Sequence, residues 1–380
     1  MGQGPGQVAG EGTRSYAQGR SAVLRTGWSN GGMIDLDLIG NTPLLHVEGI
    51  YVKMECSNPG GSVKDRIARY MLLEAQKRGE LKPGDTIVEA TSGNTGIAMA
   101  MVGTSMGHKV VIYMPEHMSV ERRRYIESFG AEVRLTPEEG GFEEPVRVRD
   151  TFQGKPGYYI PDQFGNRDNI RCHRDTTGKE LIAQLAEQGC ERLDWFVAGT
   201  GTGGTLMGVA EALCAVMPGV RIAAVEPTES AVMSGGEAAS HGIMGIGDGF
   251  IPDLVDMSQV DEVMCVTTEE AHAAADAIRR HYGHCVGRSS GANMACARRL
   301  RDRGFTVATV WADCSDRYGS VGLPSPDSKE VTCERRARCQ ERMRDLLAQS
   351  PLADVQLPPP ACLEHDRPDC QECRQSSCGA

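Results

Sequence analysis

Between residues 34 and 322, short apolar runs alternate with amphipathic stretches of about 10–15 residues, and this alternation constrains the fold most. It predicts strands over 85–90, 109–114, 131–136, 195–198, 220–225, 262–267 and 306–311. It predicts helices over 67–78, 95–106, 119–129, 205–217, 269–282 and 291–303. Strands this short and apolar are covered on both faces, so the class is α/β, with parallel sheet under packed helices. Hydrophobic residues make up 40% of the 380, enough for such a core. Outside this stretch the period fails. Residues 1–33 hold nine glycines and read as a flexible leader. Residues 323–380 are rich in Pro, charge and Cys and read as a tail.

Charge narrows the partners. A formal net charge of −11 with 5% aromatics argues against nucleic acid and against an anionic membrane surface. No apolar run approaches the roughly 18 residues of a membrane span. The first 33 residues lack the basic-then-apolar order of a secretory signal, so a cytoplasmic location is expected. In a reducing compartment the 14 cysteines are expected to be thiols or metal ligands.

Four motifs can carry chemistry, and three of them punctuate the alternation. Asn58-Pro-Gly-Gly-Ser-Val-Lys64 is a turn leading into a helix. The helix dipole and nearby positive charge favour a neutral Lys64 amine, as imine formation requires. Alone, a lysine beside a turn is ordinarily a solvated surface residue. Thr91-Ser92-Gly93-Asn94-Thr95-Gly96 follows a strand, where α/β folds bind ligands, but the same residue types also cap helices. Gly199-Thr-Gly201-Thr202-Gly203-Gly204-Thr205 places four glycines in six residues. That backbone freedom suits a phosphate-cradling loop. It also satisfies G-x-G-x-x-G, with Glu226 after the next strand, so a dinucleotide-binding oxidoreductase competes. Gly287-Arg288-Ser289-Ser290-Gly291 precedes an Ala-rich helix and is by itself a plausible cap. Together, one lysine, one Asn/Thr/Ser loop, one Gly/Thr loop and one late serine fit pyridoxal phosphate.

From Ile39-Gly-Asn-Thr-Pro-Leu44 to Asp316-Arg-Tyr318, the chain resembles the cysteine synthase and cystathionine β-synthase family of fold-type II pyridoxal-phosphate enzymes. Gln163-Phe-Gly-Asn166 and Gly245-Ile-Gly-Asp248-Gly-Phe-Ile-Pro252 are further landmarks. The resemblance implies two open, mostly parallel sheets with the cofactor in the cleft between them, and a homodimer. It implies that Lys64 is the Schiff-base anchor and then the general base. Asn94 would meet the cofactor's phenolic oxygen, and Gly201, Thr202, Gly203, Gly204 and Thr205 its phosphate. Ser289 would meet the ring nitrogen, and Thr91, Ser92, Thr95 and Gln163 the substrate carboxylate. The implied reaction is β-replacement through an aminoacrylate, O-acetylserine plus sulfide giving cysteine and acetate. Cystathionine formation from serine and homocysteine, and serine or threonine deamination, are the neighbouring activities.

Three positions depart from the family pattern. Asp248 stands where a small or aromatic residue is expected, Arg288 where an apolar one is, and Ile170 where a proline is common after Asn169. The tail raises a separate question. Cys370-x2-Cys373, with Cys362, Cys378 and His365 in reach, can chelate one metal. Cys333-x5-Cys339 is a second pair, in a predicted basic helix over 334–347. The spacing matches no standard zinc module, so free thiols are the other reading, as is a non-catalytic protein that senses through this tail.

Overall fold

The computed structural model describes residues 34–315, apart from 92, 117, 119, 141 and 142. The leader, the Cys-rich tail and its metal question, the Asp316-Arg-Tyr318 landmark and Ser92 therefore lie outside the described residues. Strands β1 (Leu44–Val47) and β2 (Ile50–Met54) form a hairpin. Its two-residue turn puts Glu48 and Gly49 at φ of 54° and 76°, the twist that matches paired strands. Then come α1 (Lys64–Arg78), β3 (Thr86–Ala90), α2 (Asn94–Ser105), β4 (Lys109–Pro115), α3 (Val120–Ser128), β5 (Glu132–Thr136), α4 (Glu143–Asp150) and β6 (Tyr158–Tyr159). A helical run follows through α5 (Asp168–His173), a π-type segment at Arg174–Gly178 and α6 (Lys179–Glu187). The remaining elements are β7 (Trp195–Gly199), α7 (Gly204–Val216), β8 (Arg221–Pro227), β9 (Glu262–Val266), α8 (Thr268–Tyr282), α9 (Arg288–Asp302) and β10 (Val307–Trp311).

The strands form two sheets. One has the order β5-β4-β3-β6 and is parallel throughout. The other has the order β1-β2-β10-β7-β8-β9 and is parallel except for the β1–β2 hairpin. The expected α/β class and paired open sheets are what the chain adopts. Apolar side chains fill both faces of the larger sheet, Trp195, Val197 and Val225 on one and Phe196, Ala198 and Ile222 on the other. The smaller sheet packs mainly on α1 and α2, through Ile67, Met71, Ile97, Met101, Ile87 and Ile112. Residues Thr95 to Gly103 of α2 are all buried, as expected of a helix apolar on every side. Helix α8 starts on a capping box, Thr267 with Glu270, and stops at Gly283 in the left-handed region.

Most boundaries fall within two residues of expectation, and two differences bear on the site. Helix α1 begins at Lys64 rather than Ile67, and α9 at Arg288 rather than Gly291. Lys64 and Ser289 thus lie in first helical turns and not in the loops before them. The hairpin escaped the periodicity because β2 buries Lys53 completely, which breaks the apolar run.

Candidate active site

The chain direction decides what meets between the sheets. Strands β7 and β10 are neighbours and end side by side, and the loops beyond them face the starts of α1 and α2. Carboxyl ends of parallel strands and helix N-termini together give donors and positive potential, the usual setting for an anionic ligand. A cleft opens there, about 590 Å³ with the solvent space at its mouth included. Lys64, Asn94, Gly201, Thr202, Gly203, Thr205 and Ser289 all line it. Gly204 stands just behind the lining, as the first residue of α7.

Local chemistry positions each group. The Asn58–Lys64 turn is closed by the Gly60 N–H, which donates to the Asp65 carboxylate (2.5 Å), and the Lys64 N–H donates to Ser62 Oγ (3.3 Å). Two residues on, Arg66 fastens the same helical turn. Its guanidinium donates to both oxygens of buried Glu55 (2.6 and 2.8 Å) and to Glu180 (2.7 Å), which also pairs with buried Lys53 (2.7 Å). Burial pushes the Glu55 carboxyl up, but the Arg66 charge and its hydrogen bonds, with Lys53, outweigh this and bring it to about 2. For Lys64 itself, burial lowers the amine below the ordinary lysine range, and the Asp248 and Asp313 charges oppose that only in part.

The Gly/Thr loop is shaped by close approach. A Cβ on Gly201 would collide with the Gly245 carbonyl, one on Gly203 with Val255, and one on Gly204 with the Asn169 side chain. Gly203 also sits at φ 82°, in the left-handed region. Asn169 Nδ2 donates to Thr202 Oγ1 (3.0 Å) and to the Gln163 carbonyl (2.9 Å), and Asn293 Oδ1 accepts from the Gly199 N–H (2.7 Å). Thr205 Oγ1 meets His173 Nε2 (3.2 Å), and burial takes that imidazole down to about 3, keeping it neutral. The loop presents N–H groups and hydroxyls at the N-terminus of a 13-residue helix, without a carboxylate of its own. Within it Thr200 Oγ1 is buried without a hydrogen-bond partner. That donor set, beside a lysine of lowered pKa, fits a phosphorylated carbonyl cofactor.

On the other wall, Asn94 Nδ2 donates to Asp313 Oδ2 (2.7 Å). Thr95 Oγ1 donates to Gln163 Oε1 (2.6 Å), both residues buried, and Thr91 is buried as well. Thr91, Thr95 and Gln163 lie outside the cleft lining. Ser289 lines the cleft, whereas Ser290 Oγ turns away and accepts from the Ala312 N–H (2.9 Å). Sequence reasoning missed Asp313, Asn293 and His173. For Asp313 a signal existed: a carboxylate two residues past a parallel strand, where such sheets bind ligands. Glu226, the acid that a dinucleotide reading needs, is buried and accepts from the Met233 and Ser234 N–H groups (2.8 and 3.0 Å).

The fold and the cleft thus define an α/β enzyme suited to hold a phosphorylated cofactor beside a lysine of lowered pKa. Residues 36–309 match the family described as pyridoxal-phosphate dependent enzymes, and the chain belongs to that family. A cysteine synthase of Staphylococcus aureus is 40% identical over 301 residues, covering 76% of this chain and 96% of that protein. Among solved structures, an O-ureido-L-serine synthase aligns with a TM-score of 0.73 at 38% identity, covering 80% of this chain and 98% of that one. An O-acetylserine dependent cystathionine β-synthase from Helicobacter pylori aligns at 0.71 and 35%, covering 76% and 97%. Among the described residues no helix is long and apolar enough to cross a membrane.

Proposed function

We propose that the chain is a cysteine synthase, replacing the acetoxy group of O-acetyl-L-serine with sulfide to give L-cysteine and acetate. The observation that carries this reading is the convergence of Lys64, Asn94, the Gly/Thr loop and Ser289 on one cleft. Pyridoxal phosphate, when bound, supplies the electron sink that makes an amino acid's α-proton labile and lets its β-substituent leave. Residues Gly201–Thr205 hold its phosphate through loop N–H groups and the Thr202 and Thr205 hydroxyls. Asn94 would hold its phenolic oxygen, and Ser289 would offer a neutral hydroxyl to its ring nitrogen. Lys64 Nζ would anchor the cofactor covalently and would serve as the base for the substrate's α-proton. A desolvated amine suits both tasks because the neutral form is the nucleophile and the base. Thr91, Ser92, Thr95 and Gln163 bind the substrate carboxylate, which requires the Thr95–Gln163 hydrogen bond to be exchanged for bonds to substrate.

The similarity to the Helicobacter pylori protein supports a second reading, the same donor with homocysteine as nucleophile. We place the protein in the cytoplasm, as a homodimer. The test is a steady-state comparison of O-acetylserine and serine, each against sulfide and homocysteine, with the holoprotein. Cysteine from O-acetylserine and sulfide as the fastest product is expected. Faster cystathionine formation moves the assignment to the second reading, and no β-replacement with any pair overturns both.

A further inference from the structure

Two of the departures from the family pattern, Asp248 and Arg288, meet in one loop. Arg288, at the start of α9, donates from Nη1 to the Gly242 carbonyl (3.1 Å), and the Gly242 N–H donates to Thr268 Oγ1 (2.9 Å). His241 Nδ1 accepts from the Ile243 N–H (3.2 Å), so Nε2 carries the proton that it gives to the Gly247 carbonyl (2.8 Å). The Gly247 N–H in turn donates to the Thr200 carbonyl of the Gly/Thr loop (3.0 Å). The segment 241–248 is therefore fastened to α8, to α9 and to the cofactor wall. A loop tied at this many points delivers its next side chain to a fixed place.

That side chain is Asp248. Its Oδ2 is 4.0 Å from the position a Cβ on Gly201 would take, so the carboxylate stands over the cofactor loop. Its charge acts on Lys64. The residue is exposed to solvent. Desolvation by the surrounding protein raises the carboxyl, against the pull of the Lys64 charge. Met244, Gly245 and Ile246, just before Asp248 in the chain, line the cleft that holds Lys64, which sets the Asp248 carboxylate at the edge of that cleft.

The geometry points to Asp248 as a specificity-determining residue, whose carboxylate rejects donors carrying a β-phosphate and admits those with an uncharged β-substituent such as acetoxy or hydroxyl. Two anions brought together in a partly desolvated cleft repel far more than in water. The inference rests on the β-replacement reading above and names the donor class within it.

The test uses the holoenzyme and two variants, Asp248→Asn and Asp248→Ser, each checked for bound cofactor and native circular dichroism. The first readout is the ratio of kcat/KM for O-phosphoserine to that for O-acetylserine with sulfide. The second is the ratio of calorimetric Kd values for O-phospho-L-serine and L-serine. Wild type should favour O-acetylserine, and both ratios should shift toward the phosphorylated ligand by more than fivefold in at least one correctly folded variant. Shifts of fivefold or less, or a wild type that uses O-phosphoserine as well as O-acetylserine, would overturn the assignment while leaving β-replacement intact. Failure of wild type to turn over or bind any of these amino acids overturns the functional reading, and the donor selection with it.

Discussion

The two walls of the cleft are made of different material. The Gly199–Thr205 wall is backbone, with four glycines whose neighbours leave no room for a Cβ. The opposite wall is side chains from separate elements, Asn94 on α2, Ser289 on α9 and Asp313 after β10, with Asp248 in a loop at its edge. A backbone wall fixes one ligand group in one place and tolerates almost no substitution. A side-chain wall can change its substrate by one residue without disturbing the fold. The solved structures with similar folds have different names for their reactions, in keeping with that division.

The comparison can be broken at several points. Lys64→Ala should cost most, on the order of 10⁴-fold or more in turnover, because the proposed reading gives one group the roles of both anchor and base. Lys64→Arg should be no better, since a guanidinium stays protonated. Steady-state cysteine formation measures both. Next is the backbone wall. Gly204→Ala drives a methyl into Asn169, and the displaced loop should lose about a hundredfold in cofactor affinity, read by titrating apoprotein with pyridoxal phosphate. Near-normal affinity would mean that the wall is softer than its packing.

The adjacent serines should separate by readout. Ser289→Ala should lower turnover about tenfold with little loss of stability. Ser290→Ala should leave turnover nearly intact but cost about 1–3 kcal/mol in denaturant unfolding, because the Ala312 N–H loses its acceptor. The reverse pattern would put the working hydroxyl one residue later. The smallest effect concerns pH. Neutral His173 supports Thr205, and burial holds it near 3 against about 6.5 when unfolded. Its contribution is therefore complete above about pH 6.5 and declines as pH falls toward 3, because the unfolded chain takes up the proton first. Urea unfolding of wild type and His173→Gln between pH 7 and 5 should show a shallower decline in the variant.

The backbone wall was legible in the sequence because its demands are local. Glycine spacing, a preceding strand and a following helix all fall within a dozen residues. Lys64 was legible for the same reason, through the turn that precedes it. Side-chain wall members are joined only by the fold: Asn94 and Asp313 bond across 219 positions, and Gly199 and Asn293 across 94. No periodicity carries such a pairing. Asp248 and Arg288 were visible as oddities, but their connection through the 241–247 loop depends on where α9 begins, and that boundary was placed three residues late.

The central claim is that the backbone wall and Lys64 together hold pyridoxal phosphate as a covalent cofactor. Borohydride reduction of the purified holoprotein, followed by peptide mass spectrometry, tests it most directly. The account predicts a yellow protein whose visible absorbance is bleached, with a single phosphopyridoxyl group on the peptide carrying Lys64. A colourless protein, or reduction that labels another lysine and leaves Lys64 unmodified, would contradict it.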